Sequence, residues 1–328
     1  MIIVTGAAGF IGSAIIWRLN TLGEKNILAV DCLHSNGKWK NLRGLSFKDY
    51  LDKDDFIKKL ENGELEDIDA IFHLGACSST TQSEESYLIE NNYRYTLRIA
   101  KYVAENPKTR MIYASSAATY GNGEFGYSDN EAEIEKLRPM NCYGYSKHLF
   151  DLRAKNEGWL KNIVGLKYFN VFGPNEYHKG DMQSVICKAF ENVYNKGIIR
   201  LFKSYNPQYG DGEQRRDFVY VKDAVDITLY FWKENREIGG LFNVGTGIAN
   251  TWNEIARALF FACDKTETGI IEYTEMPETL RDKYQYYTCA DISKLRNAGC
   301  NHKSFTIESA VCDYVKNYLI GSKHLSYN

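Results

Sequence analysis

"VTGAAGFIGSAI", residues 4–15, sets Gly6, Gly9 and Gly12 between the apolar run 2–4 and an amphipathic stretch. Glycines at that spacing let a strand turn directly into a helix whose N-terminal amides can approach a pyrophosphate. Taken alone, such a turn is a common strand-to-helix connection. Asp31 gives it context, because it follows the second apolar run, 27–30, about 20 residues past the glycines, where a carboxylate meets the adenosine ribose hydroxyls. The bland alternative makes Asp31 a cap or turn aspartate. An acid here repels a 2'-phosphate and favours NAD, whereas Lys38 in "HSNGKWK" (34–40) can fold over and neutralise one. These residues leave NAD and NADP both open.

Working outward, short apolar runs at 2–4, 27–30, 70–74, 111–115 and 163–169 are separated by segments of helix length. Helices are predicted near 10–22, 53–60, 86–105 and 143–158. That alternation predicts an α/β fold: a Rossmann-type doubly wound parallel sheet with helices on both faces. Past Gly173-Pro174 the pattern loosens, with helices near 181–196, 222–232, after Thr251 and near 306–319. The expected division is a dinucleotide-binding domain over 1–173 and a smaller mixed α/β lobe, mainly for substrate, over 174–328. Segments within about 214–250, "RRDFVYVKDA" and "LFNVGTG", are expected to rejoin the first sheet.

The net charge of -2 over 328 residues, without a Lys/Arg block, gives no footprint for nucleic acid or for an anionic membrane surface. Small molecules are the default partners. No run of eighteen apolar residues exists, and the N-terminus opens on a strand with no charged leader region, which predicts a cytoplasmic protein. The eight cysteines are scattered without a C-x-x-C, and the six histidines form no ligand pattern, so a reducing compartment and no metal site are expected.

The strand in "MIYASSAATYG" (111–121) ends in Ser115 and Ser116, at the carboxyl edge where open α/β sheets bind ligands. In "YGYSK" (143–147), positions four apart share a helix face and positions two apart do not. Lys147 therefore serves Tyr143, not Tyr145. A phenol of pKa about 10 is a poor base near neutrality, and an adjacent ammonium would lower it into a useful range. Ser116 would bond the same substrate oxygen. In a chain with 24 tyrosines this pairing can also arise by chance on a helix surface.

The glycine turn, the serine strand and the Tyr/Lys pair, in this order and at these distances, resemble the extended short-chain dehydrogenase/reductase superfamily. "RRDFVYVKD" (215–223) and "FNVGTG" (242–247) look like its later segments. That resemblance implies a Rossmann nucleotide domain, a substrate lobe, a tightly held nicotinamide cofactor and a nucleotide-sugar substrate. Dehydratases of the superfamily carry acids after the serine strand, whereas here Ser116 is followed by Ala117 and Ala118. Epimerases and reductases remain, acting at C4 or elsewhere, beside the alternative of a non-catalytic dinucleotide sensor.

A loop lysine such as Lys179 is by itself usually just solvated. The words "DKDDF" (52–56), "FHLGACSSTTQ" (72–82), "YGYSKHLFD" (143–151), "KYFNVFGP" (167–174) and "HKGDM" (178–182) narrow the resemblance to the ADP-L-glycero-D-manno-heptose 6-epimerase family. That resemblance implies inversion at C6 of the heptose through a C6 aldehyde, with Tyr143 and Lys179 as the two acid/base residues, Lys147 tuning Tyr143, and Ser116 steadying the hydroxyl. It implies NADP held by residues matching Gly6, Gly9, Phe10, Ile11, Gly12, Asp31, Cys32, Lys38, Lys53, Leu74, Gly75, Ala76, Cys77, Ser78, Asn91 and Val171, together with Tyr143, Lys147 and Lys179. It implies that Asn170, Asp181, Lys188, Phe202, Lys203, Ser204, Tyr205, Arg216 and Tyr284 contact the ADP-sugar. Cys32, Asp181 and Lys188 depart from the family's usual asparagine, serine and histidine, and "KSYNPQYGDGEQRR" (203–216) is longer than its pattern. The family further suggests a ring-like homo-oligomer, with a pentamer as one arrangement.

Overall fold

The computed structural model describes residues 1–77, 84–281 and 284–327. In chain order its strands are β1 (Ile2–Thr5), β2 (Ile27–Asp31), β3 (Asp49–Asp52), β4 (Ala70–His73), β5 (Arg110–Ser116), β6 (Val164–Tyr168), β7 (Asn170–Phe172), β8 (Ile198–Phe202), β9 (Arg215–Tyr220), β10 (Gly240–Val244), β11 (Ala249–Thr251) and β12 (Ile270–Thr274). The helices are α1 (Phe10–Thr21), α2 (Lys53–Glu61), α3 (Glu85–Leu88), α4 (Tyr95–Glu105), α5 (Cys142–Asn156), α6 (Val185–Lys196), α7 (Val221–Lys233), α8 (Trp252–Ala262), α9 (Glu278–Arg281), α10 (Ser293–Asn297) and α11 (Ile307–Tyr314).

A seven-stranded sheet of order β10-β6-β5-β4-β1-β2-β3 is parallel throughout, as the alternating pattern predicts. Its inner strands are buried on both faces, which is why IIV and AIF read as unbroken apolar runs. The order reverses between β1 and β4, and the crevice beyond their carboxyl ends is where such sheets take ligands. β3, with the polar sequence DYLD, forms an edge that the apolar pattern does not foresee. Of the two later segments, LFNVGTG supplies β10 of the large sheet. RRDFVY instead forms β9 of a separate sheet, parallel to β7 and antiparallel to β11. β8 and β12 pair with each other. One apolar core runs from Ile3 and Ile15 through Phe242 to Leu259 and Val311.

Two predicted helices differ from their expected form. The span 86–105 is interrupted by a π-helical stretch, Ile89–Arg94, between α3 and α4. The helix expected from 181 starts at Val185, where Ser184 caps it by accepting from Cys187 N at 3.2 Å; a 3-10 segment, Tyr177–Met182, precedes it.

Candidate active site

The phosphate turn is built by close approach. Gly6 has φ +67, and a Cβ there would stand 2.7 Å from Gly75 N; one on Gly12 would overlap the Gly6 carbonyl oxygen. Phe10 and Ile11 open α1 directly after Gly9. Asp31, last residue of β2, accepts from Ala8 N at 2.8 Å through Oδ2 and from the Lys38 ammonium at 2.7 Å through Oδ1. Lys53 starts α2 and donates to Asn91 Oδ1 at 2.9 Å.

Gly6, Asp31, Cys32, Lys38, Lys53, Gly75, Ala76, Cys77 and Asn91 line one cavity of about 180 Å³. Leu74 leads into it, its amide bonded to Thr5 O at 3.2 Å. Ser78 lies outside the described residues. A larger cavity of about 450 Å³, between Arg18 of α1 and Asp226 of α7, contains none of these groups. Glycines without room for a Cβ, an acid at the end of β2 and two lysines beside it fit a nicotinamide dinucleotide along this edge.

Asn92 was not singled out by sequence. On the π-helical stretch it accepts from Cys77 N at 2.8 Å and donates to Cys77 O at 3.0 Å and Ser146 Oγ at 3.1 Å. It thereby ties the wall of the dinucleotide cavity to α5. The only available signal was its neighbour Asn91, because the facing of 91 and 92 depends on the π register.

Ser116 ends β5, and Tyr143 lies in the first turn of α5. Asn141 caps that helix, accepting from Gly144 N at 2.8 Å. A Cβ on Gly144 would come 2.6 Å from Ala118 O, so glycine lets α5 press onto the turn after Ser116. Tyr143 hydrogen-bonds the Ser116 hydroxyl. Burial pushes the phenol upward, and the Ser116 bond opposes this. The lowering expected from Lys147 is therefore supplied by Ser116, with a net upward direction.

Lys147 is itself buried, and burial lowers it to about 8 against the pull of Asp151. Asp151 and Lys167, both fully buried, form an ion pair of 2.7 Å under the site. Tyr113 and Ser115 also donate to Asp151, at 2.9 and 2.7 Å. A buried pair of this kind needs such added bonds to offset desolvation.

Lys179 lies with its ammonium 5.1 Å from the centre of the Phe10 ring, at the start of α1. Burial lowers it, and Glu176 opposes the shift. Among the residues expected at the sugar, Lys188 donates to the Asp181 backbone oxygen. Asn170 and Val171 lie on β7, Asn170 exposed and paired in register with Phe218. Phe202 closes β8; Lys203 pairs with Glu275 at 2.6 Å, and Ser204 Oγ donates to Asn206 O at 3.0 Å.

Tyr205 N donates to Tyr286 OH at 3.2 Å, and the Tyr286 ring is 5.2 Å from that of Tyr284. Arg216 is buried, with its guanidinium 5.2 Å over the Tyr284 ring. It donates to the backbone oxygens of Arg215 and Gln285. Tyr205, Arg216 and Tyr284 therefore belong to one aromatic wall. Among the described residues, no group of three or more His, Cys, Asp or Glu side chains could hold a metal ion.

A dinucleotide cradle at the switch point of a doubly wound sheet, with a half-buried tyrosine bonded to a serine beside it, defines an enzyme that works on its substrate through a nicotinamide. The family model for the NAD dependent epimerase/dehydratase family matches residues 2–245, and the chain belongs to that family. It is 50% identical to an ADP-L-glycero-D-manno-heptose-6-epimerase of Nitratidesulfovibrio vulgaris, over 97% of this chain and 98% of that one. Its relative of the same name in Fusobacterium nucleatum is 46% identical, again over 97% and 98%. A crystal structure of the Helicobacter pylori protein of that name superposes with a TM-score of 0.80 at 26% identity, covering 96% of this chain and 95% of that one.

Proposed function

We propose that this protein is an ADP-L-glycero-D-manno-heptose 6-epimerase, inverting C6 of ADP-D-glycero-β-D-manno-heptose to give the L-glycero isomer. The observation that carries the reading is the presence of two half-buried ionisable groups on separate elements, Tyr143 and Lys179, in a chain half identical to a relative of that name. Inverting an exocyclic carbon by oxidation and re-reduction needs a proton acceptor for one face of the carbonyl and a donor for the other.

A nicotinamide dinucleotide held by the Gly6 turn, Asp31, Lys38 and Lys53 would supply reversible hydride transfer at C6. One of Tyr143 and Lys179 accepts the C6 hydroxyl proton; after the aldehyde turns about C5–C6, the other protonates the oxygen. Ser116, already bonded to Tyr143, steadies that oxygen, and Lys147 supplies positive charge behind it. Arg216 has the fork suited to a diphosphate. The dinucleotide is read as NADP, since Lys38 and Lys53 share the adenosine cavity and can neutralise a 2'-phosphate.

The test is to incubate the purified protein with ADP-D-glycero-β-D-manno-heptose in D2O, without free cofactor, and to follow the heptose protons by NMR. Conversion with the C6 proton retained is expected. Deuterium in the product would sink direct hydride return, and no conversion even with added NADP and NAD would discard the heptose assignment.

A further inference from the structure

We propose that Asn41 and His324 are positioning residues that clamp the loop carrying Lys179 onto the phosphate turn. Asn41 is buried on the 3-10 turn Lys38–Leu42, three residues past the lysine that pairs with Asp31. Its Nδ2 donates to Ala8 O and to Asn175 O, both at 3.0 Å, and lies 3.2 Å from His178 Nδ1. Two carbonyl acceptors fix which end of the amide is nitrogen, so its oxygen faces His324 Nδ1 at 2.8 Å. An amide oxygen only accepts. His324 must therefore donate from Nδ1.

The contacts close into a ring. Leu325 N, next to His324, donates to Asn175 Oδ1 at 2.9 Å; Asn175 Nδ2 donates to Ser13 Oγ at 2.9 Å; and Ser13 Oγ donates to Gly9 O at 2.7 Å, back in the phosphate turn. Asn175 has φ +78, a conformation asparagine tolerates better than most residues. Tyr177 adds a second tie, donating to Lys323 O at 2.8 Å with the His324 ring edge-on at 5.1 Å. Both sides of this ring meet at residues 175–178, immediately before Lys179.

The loop is also closed on itself. Glu176 accepts from Ser184 N at 2.6 Å and from Ser184 Oγ at 2.7 Å. Loss of the clamp should therefore free the Lys179 segment without unravelling the loop. Through Asn41 and Ala8, the position of Lys179 is tied to the same turn that meets the dinucleotide. A catalytic group displaced by 1 Å can cost on the order of 100-fold in rate, so this tie sets turnover if Lys179 is the second proton-handling group, as the functional reading has it.

The experiment uses the full chain with its dinucleotide bound, as the parent protein and as His324→Ala, His324→Asn and Asn41→Ala. Acylation of Lys179 by an N-hydroxysuccinimide ester is followed by peptide mass spectrometry against exposed Lys196 as internal reference. Turnover of the ADP-heptose is measured alongside. His324→Ala should speed Lys179 acylation about tenfold or more and lower kcat by a similar factor with KM within about threefold; His324→Asn, which keeps a donor at the Nδ1 position, should restore both. Acylation within about twofold of the parent in folded His324→Ala and Asn41→Ala overturns the clamp, as does faster acylation that His324→Asn fails to reverse. Faster acylation with unchanged kcat overturns its catalytic consequence. A parent protein inactive on the sugar defeats the functional reading instead, and acylation still decides the clamp.

Discussion

Lys38 meets Asp31 as a largely buried ion pair of 2.7 Å in the cavity at the end of β2. The carboxylate that would repel a 2'-phosphate is thus already neutralised by a lysine able to turn toward one. Lys38→Ala should weaken NADP binding by about 10–100-fold, the value of one charge-assisted bond, and leave NAD within a few-fold. Fluorescence titration with both dinucleotides checks this. Equal losses would show that Lys38 serves only to hold Asp31.

Tyr143→Phe and Lys179→Met should each lower epimerase turnover by about 100-fold or more, because a positioned acid or base contributes at least that much. Steady-state assays at saturating sugar read this directly. Either variant keeping more than roughly a tenth of parental activity would remove that residue from the mechanism.

Lys147, lowered to about 8 by burial, is charged below that pH and neutral above it. If its ammonium supports proton transfer at Tyr143, kcat/KM should fall as pH rises through about 8. Lys147→Arg keeps the charge throughout, so whatever activity it retains should lose that bend. A bend that survives in Lys147→Arg belongs to another group.

Asp129 bridges the loop before residue 130 to β10, accepting from Asn243 N at 2.8 Å. Burial raises it to about 6, with Lys294 pulling the other way. The folded chain therefore binds more protons at this site than the unfolded one between about pH 4 and pH 6, and the stability linked to Asp129 falls as pH rises through that window. Asp129→Asn, which keeps an acceptor for Asn243, should gain roughly 1–3 kcal/mol at pH 7.5 and nothing at pH 4. Thermal unfolding at the two pH values measures this; an equal effect at both would exclude the ionisation as its source.

The large sheet was legible because strands buried on both faces are largely apolar, as in residues 70–72. DYLD of β3 escaped because an edge strand carries no such demand. Gly6, Asp31 and the Tyr143–Lys147 spacing could be read locally, since each depends on one turn of chain. Asn41, Asn92 and the Asp151–Lys167 pair could not. Their partners come from other elements, as when Asn41 reaches His324 across most of the chain. The direction of the Tyr143 shift was misjudged for a related reason. Helical spacing shows which residues share a face, not how completely the folded chain covers them.

β6 pairs with β5 on one side and with β10 on the other, yet β10 is made only after residues 169–239 have left the ribosome. At about 5–20 residues per second this leaves β6 as an open edge for roughly 4–14 s, a template for pairing with other nascent chains. Lys167 is the next-to-last residue of that edge strand, and until Asp151 and Thr119 receive it, its charge opposes such pairing. The lysine of the ion pair beneath the site thus guards the open edge only before it is paired.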